Sequence, residues 1–177
     1  MFQALYDKPL PKQGDPRKFA QQGISIQGFV PVSALPRLAG ALTSGEGNVQ
    51  VELTFTISDD RKRLVTGTAK ADLHMECQRC LNPVSVPVES DIALALVWAE
   101  EEIQSLPKDL DPWLVGEGLA DFYEMIEEEL LLSLPAVAYH EELCIDAELF
   151  SSGEPVVVKQ EKKNPFQVLE QLKSSPK

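Results

Sequence analysis

The chain is poor in the side chains on which most catalysis rests. It has two histidines and three cysteines in 177 residues, and no catalytic triad can be assembled from so few. A phosphate-binding loop, a nucleophile elbow and a dinucleotide fingerprint are all missing, so the common motif-borne enzyme classes drop out and no enzyme is expected. No apolar run approaches the roughly 20 residues that a membrane-spanning helix needs. Residues 1 to 8 carry no basic region followed by an apolar stretch, so secretion is not expected and the cytoplasm is the expected compartment. Three cysteines are an odd number, which argues against a disulfide framework and fits a reducing compartment. Basic residues are scarce too: 16 against 28 acids, a net charge of -12. That excludes the overall basic surface of a non-specific nucleic-acid binder.

What is there reads as one globular domain. The hydrophobic fraction of 44% and charged fraction of 25% are ordinary for a folded chain, and this length can bury a core without disulfides. The negative charge is segregated. From Glu100 to Glu148 there are fifteen acids and one base, Lys108, whereas the preceding residues balance ten against ten. Any RNA contact must therefore use local clusters such as Arg61-Lys62-Arg63, and the acidic half is a natural surface for a basic protein.

Residues 1 to 14 read as an irregular arm, after which Asp15 caps a helix that has Pro16 at its first position and ends at Gly23. Alternation from Ile24 to Val30 predicts a strand, with Gly28 as a bulge, and Ser33 is placed to cap a second helix. Val49, Val51, Leu53, Phe55 and Ile57 alternate as a half-buried strand does, and the turn Ser58 to Lys62 leads into its hairpin partner. That partner puts Val65, Gly67, Ala69, Ala71, Leu73, Met75 and Cys77 on one face and His74 on the other. A third alternating run ends at Trp98, where Pro87 calls for an edge position or a bulge. Trp113 to Val115 could add a short edge strand. From Leu119 to Leu134 the apolar spacing is helical, with Glu124, Glu127 and Glu128 assigned to the opposite, solvated side, and Pro135 stops the helix. The expected class is α+β: an antiparallel sheet over residues 24 to 98, open or closed into a barrel, with the helix packed on it. Residues 1 to 150 form this single domain. Residues 151 to 177 read as a flexible tail carrying a short amphipathic helix, whose Phe166, Leu169 and Leu172 fall at three-residue steps.

The one compact chemical motif is Cys77-Gln78-Arg79-Cys80. With His140 and Cys144 it makes a ligand set that suits tetrahedral zinc, and a closed four-ligand site would be structural. The alternative is that Cys77 merely continues the apolar face of its strand. A thioredoxin-like role needs a helix after the motif, and here strands flank it. The long helix's glutamates could bind magnesium for nuclease chemistry, but without a paired histidine or lysine they read as a solvated face. Arg61, Lys62, Arg63 and Arg79 are the candidate phosphate contacts, the first three far from the fourth along the strand.

Four features in this order resemble a known family. They are Glu76-Cys77-Gln78-Arg79-Cys80 after a strand, a helix ending Glu127-Glu128-Glu129-Leu130-Leu131-Leu132-Ser133-Leu134-Pro135, then His140 and Cys144, and a terminal Asn164-Pro165-Phe166-Gln167-Val168-Leu169-Glu170-Gln171-Leu172-Lys173. The pattern resembles the YceD family, the large ribosomal RNA subunit accumulation proteins. The resemblance implies a non-enzymatic ribosome biogenesis factor whose partner is large-subunit ribosomal RNA or a pre-ribosomal particle. Some relatives carry more cysteines in the second half, and this sequence departs from them in having His140 and Cys144 alone. A second reading makes the protein an acidic chaperone or adaptor for a basic ribosomal protein, held through Glu124, Glu127, Glu128 and the apolar residues of the terminal helix.

Overall fold

The computed structural model describes residues 6–146. Phe166, Leu169, Leu172 and the tail assigned to residues 151 to 177 lie outside them. In chain order the elements are β1 (Gln13–Gly14), α1 (Pro16–Gln22), β2 (Ser25–Pro31), a 3₁₀ turn (Val32–Ala34) and α2 (Pro36–Ala41). These are followed by β3 (Asn48–Ile57), β4 (Arg63–Glu76), β5 (Pro83–Val97), α3 (Glu100–Ile103), β6 (Asp111–Leu114), β7 (Ala120–Asp121) and α4 (Phe122–Ser133). The class is α+β, as expected. The main sheet runs β2-β3-β4-β5-β6, with β2 and β6 at its edges, so it is open and not a barrel. It is also mixed: β6 pairs with the end of β5 in parallel, Leu94 opposite Asp111 through Val97 opposite Leu114. The crossover through α3 brings the chain round to that orientation, a topology that alternation cannot reveal. Among the described residues no helix is long and apolar enough to cross a membrane.

The sheet's spine is the hairpin of β4 and β5. Its register is unbroken from Leu64 opposite Ala95 to Glu76 opposite Pro83. Pro87 sits in that ladder opposite Asp72, without a bulge. It is tolerated because β6 covers only residues 94–97, leaving β5 an edge strand at Pro87. One face of β3 and β4 is sealed: Val49, Val51, Leu53, Phe55, Val65, Ala69, Ala71 and Leu73 are all buried. Phe19 from α1, Phe55 from β3 and Phe122 from α4 form a ring cluster with centroids 5.3 to 5.9 Å apart, and Trp113 of β6 approaches Phe122 at 6.1 Å. These contacts seat the helices on the sheet.

Four local expectations are corrected. The segment read as an irregular arm is tied down from Tyr6 onward: Leu10 is buried, β1 pairs with β7, and the Leu10 N–H donates to the Phe29 carbonyl at 2.8 Å. Gly28 is not a bulge but stands in register opposite Val51. Its missing side chain makes room for the arm, since a Cβ there would fall 2.8 Å from the Lys8 carbonyl oxygen and the Leu10 nitrogen. Leu119 lies outside the long helix and is 68% exposed; the helix begins later, where Asp121 accepts from the Tyr123 and Glu124 N–H groups. Ser33 falls inside the 3₁₀ turn and does not cap α2.

The cap of α2 comes from another element. Glu127, placed by periodicity on the solvated face, is 5% exposed, and its Oε1 accepts from the Arg37 N–H at 2.7 Å and the Leu38 N–H at 3.1 Å. A carboxylate thus closes the N-terminus of a neighbouring helix across the packing interface, satisfying donors that would otherwise be orphaned. Beside it Arg37 pairs with Glu128 at 3.2 Å in a more exposed setting. Glu127→Ala should therefore cost about 1–2 kcal/mol in chemical denaturation, whereas Glu128→Ala should cost less than about 1 kcal/mol. Equal effects would show that the cross-helix cap does not distinguish the two.

Candidate metal centre

The knuckle follows from the end of the hairpin. Cys77 continues the buried face of β4 and is fully enclosed, while its N–H donates to the Asn82 carbonyl at 3.0 Å and its carbonyl accepts from Leu81 at 2.8 Å. Leu81 turns the chain with a φ of 60°, a left-handed conformation for which an L-residue is strained. The turn brings Cys80 back toward Cys77. The loop after α4 then lies alongside: Ala138 forms a bridge to Cys77, and the Gln78 N–H donates to the Ala138 carbonyl at 2.9 Å. Cys77, Val84 and Ala138 make a small apolar core of their own, apart from the main one.

This bridge delivers the distant ligands. One donor atom each from Cys77, Cys80, His140 and Cys144 lies within 4.8 Å of every other. The Cys77 and Cys144 sulphurs are 3.7 Å apart, and the Cys80 sulphur is 3.5 Å from His140 Nδ1. With zinc–sulphur bonds near 2.3 Å and zinc–nitrogen bonds near 2.1 Å, a tetrahedral site has edges of about 3.8 Å between thiolates and about 3.6 Å between thiolate and imidazole. The observed spacings match those edges. They are far too long for a disulfide bond, whose sulphurs stand about 2.05 Å apart, and all three cysteines are free. The other ring nitrogen, Nε2, lies 3.2 Å from the Pro83 carbonyl oxygen. A proton on Nε2 would be satisfied there, so Nδ1, which faces the sulphurs, is the atom that would ligate a metal.

The surroundings favour thiolate at Cys77. Burial pushes the Cys77 thiol up, but the backbone N–H groups of Cys80, Arg79 and His140 and the His140 ring outweigh it and hold the group down at about 5. Burial, with the neighbouring Cys80 and Cys77, pushes the Cys144 thiol up. The four residues fit a borderline-soft divalent cation, and a metal held by all four would have no position open to substrate.

The structure also settles where the basic candidates stand. Arg79 does not project into solvent. Its guanidinium donates to the His140 carbonyl and, at 3.0 Å, to the Glu142 carbonyl, and it lies over the Tyr139 ring at 5.4 Å. It braces the loop that carries two ligands. Arg61, Lys62 and Arg63 lie at the opposite end of β4 from Arg79, so the hairpin separates the two groups. Glu124 and Glu128 are exposed on α4 and Glu127 is not. Arg17, and Trp98, which the sequence marks only as a strand residue, join the basic end: Trp98 has the Arg17 guanidinium at 4.8 Å and that of Arg63 at 5.2 Å. No linear motif links residues 17, 63 and 98; only the strand order does.

In metal-free protein a single thiolate should titrate near pH 5, read by its ultraviolet absorbance, and Cys77→Ser should remove that step. Because folding lowers this group from its usual 9.0, the stability it contributes is present above the ordinary thiol range and is lost as pH falls through about 5. Absence of any thiolate signal until the ordinary thiol range would contradict the assignment.

Comparison with known proteins identifies the family. A family model described as large ribosomal RNA subunit accumulation protein YceD matches residues 65–173, a span that contains all four ligands. The large ribosomal RNA subunit accumulation protein YceD of Haemophilus influenzae is 30% identical over 169 residues, which cover 93% of this chain and 96% of that protein. No solved structure matches. Matched over more than half its length by the family model and along nearly all of it by a relative, the chain belongs to the YceD family.

Proposed function

We propose that this protein supports the accumulation of large-subunit ribosomal RNA as a binding factor in the cytoplasm, without catalysing a reaction, and that Cys77, Cys80, His140 and Cys144 hold a structural zinc ion. The observation that carries the reading is the convergence of those four ligands at the seam between the hairpin and the loop after α4, within a chain of a family named for ribosomal RNA accumulation. A closed set of protein ligands leaves no coordination position for an activated water, which suits architecture better than hydrolysis. Bound there, the metal would fasten residues 138–144 to the knuckle, a loop otherwise held by backbone bonds from Gln78 and the Arg79 guanidinium.

We assign RNA contact to Arg61, Lys62 and Arg63, which stand together at one end of β4, apart from Arg79 with its bonds to the His140 and Glu142 carbonyls. A second reading has its own support. The acidic stretch from Glu100 to Glu148 holds fifteen acids and one base, and Glu129 is raised first by burial and then by the nearby Asp111 and Glu128 carboxylates. Exposed Glu124 and Glu128 could receive a basic ribosomal protein in an adaptor role.

Elemental analysis of protein purified without a metal-binding tag should find about one zinc per chain, reduced by Cys80→Ser and by His140→Ala; a content near zero rejects the metal. In cells lacking the protein, the ratio of large- to small-subunit ribosomal RNA should fall and be restored by the unaltered chain, and an unchanged ratio rejects the functional reading. Glu124→Lys with Glu128→Lys should abolish binding of a basic ribosomal protein if the adaptor reading holds, while leaving RNA affinity in place.

A further inference from the structure

The end of the molecule opposite the metal centre carries cations that the fold leaves unneutralised. Lys12, Lys18, Arg37 and Lys70 each stand within 4 Å of a carboxylate. Among the described residues no carboxylate stands so close to Arg17, Arg61 or Arg63. Arg17 rises from the first turn of α1, Arg63 opens β4, and both guanidinium groups lie against Trp98, which follows β5. A ring face is a weak partner for a guanidinium and leaves its N–H donors unused. Arg63 Nε and Trp98 Nε1, like Arg79 Nε at the other end of the hairpin, are buried without a hydrogen-bond partner among the described residues. Buried donors of this kind are uncommon in native structures and call for an acceptor.

Arg63 and Trp98 line a cleft of about 360 Å³ together with Arg61, Lys62 and Ser105, and Arg17 lies beside it against the Trp98 ring. Its one carboxylate, Glu102, is turned to the backbone, with Oε2 accepting from the Trp98 N–H at 3.2 Å. Lys62 is held across the cleft by its Nζ, which donates to the Ser105 carbonyl at 3.0 Å. Asp59 and Asp60, in the same hairpin turn, are exposed. We propose that Arg17, Arg63 and Trp98, with Arg61 and Lys62 at the rim, form a seat for a phosphate of single-stranded RNA. The inference rests on the reading of this protein as a ribosomal RNA factor and deepens it by naming the contact. Guanidinium forks and an indole N–H are donors without acceptors, which is what a phosphate oxygen requires. The open cleft takes a nucleotide-sized group.

Binding of labelled single-stranded fragments of large-subunit ribosomal RNA to the full chain at low salt tests this, with inorganic phosphate as the competing arm. Arg17→Gln and Arg63→Gln should each weaken binding by about tenfold and make the log–log salt dependence shallower by roughly 0.7 per lost phosphate contact. Trp98→Phe, which keeps a ring and removes the N–H, should weaken it less, by a few-fold. Lys70→Gln, whose native cation is paired with Glu89, should change little. The seat is overturned if Arg17→Gln and Trp98→Phe bind RNA as the unaltered chain does, or if Lys70→Gln loses as much. It is likewise overturned if only inorganic phosphate binds, or if the unaltered chain has no RNA affinity at all. None of these outcomes touches the restoration of ribosomal RNA in depleted cells, so the broader reading stands or falls separately.

Discussion

The unbroken ladder between β4 and β5 is the constraint on which the rest of this structure depends. A two-stranded register without bulges translates sequence position directly into distance, and fourteen residues of β4 span about 45 Å at roughly 3.3 Å per residue. That length sends the polar turn at Arg61 to one end and the knuckle at Cys77 to the other. A slip of one residue would move Cys77 off the core face and carry Val65, Ala69 and Leu73 out with it. The buried row on β4 and the metal-ligand position are therefore one property of the strand, and the hydrophobic core enforces the geometry of the site.

Much of this was legible in the sequence because period-2 alternation is a strong signal over long strands. It placed β3, β4 and β5, faced Cys77 inward and turned His74 to solvent, where the structure has both. It also placed Asp15, Pro16 and Gly23 at the ends of α1, where local chemistry alone decides: the Asp15 carboxylate accepts from Arg17 and Lys18, and Gly23 takes a φ of 64°. What it missed was set by partners distant in sequence. Glu127 looks like one of a run of surface glutamates, and nothing within its helix tells that the amides of Arg37 and Leu38 lie across the interface. Gly28 looks like a bulge because the arm that passes over it is some twenty residues earlier.

The same division runs through the candidate sites. The pairing of Cys77 with Cys80 is local and was readable from their spacing. Their meeting with His140 and Cys144 was offered on ligand chemistry, but it depends on the bridge from Ala138 to Cys77, a single parallel contact that no periodicity announces. Arg17 and Trp98 were passed over because cation–π pairing leaves no trace in a one-dimensional pattern. At the basic end the informative quantity was the absence of paired carboxylates, which only three dimensions supply.

Arg79 shows why a charge should be assigned by its surroundings. In sequence it sits between two cysteines and looks like a free cation at a turn. In the fold it donates to the His140 and Glu142 carbonyls and offsets part of the upward push that burial and the neighbouring cysteines give the Cys144 thiol. Three thiolates and a neutral imidazole around a divalent cation would carry a net charge of about -1. Embedded in a half already rich in acids, that charge is costly without a nearby cation. A guanidinium fixed between ligand residues supplies it, and bonds the loop that delivers His140 and Cys144 at the same time. An arginine so committed turns one terminal nitrogen to two loop carbonyls and keeps its Nε buried without a partner among the described residues, so its charge serves the candidate metal centre, and the proposed RNA contact is placed at the other end of the hairpin.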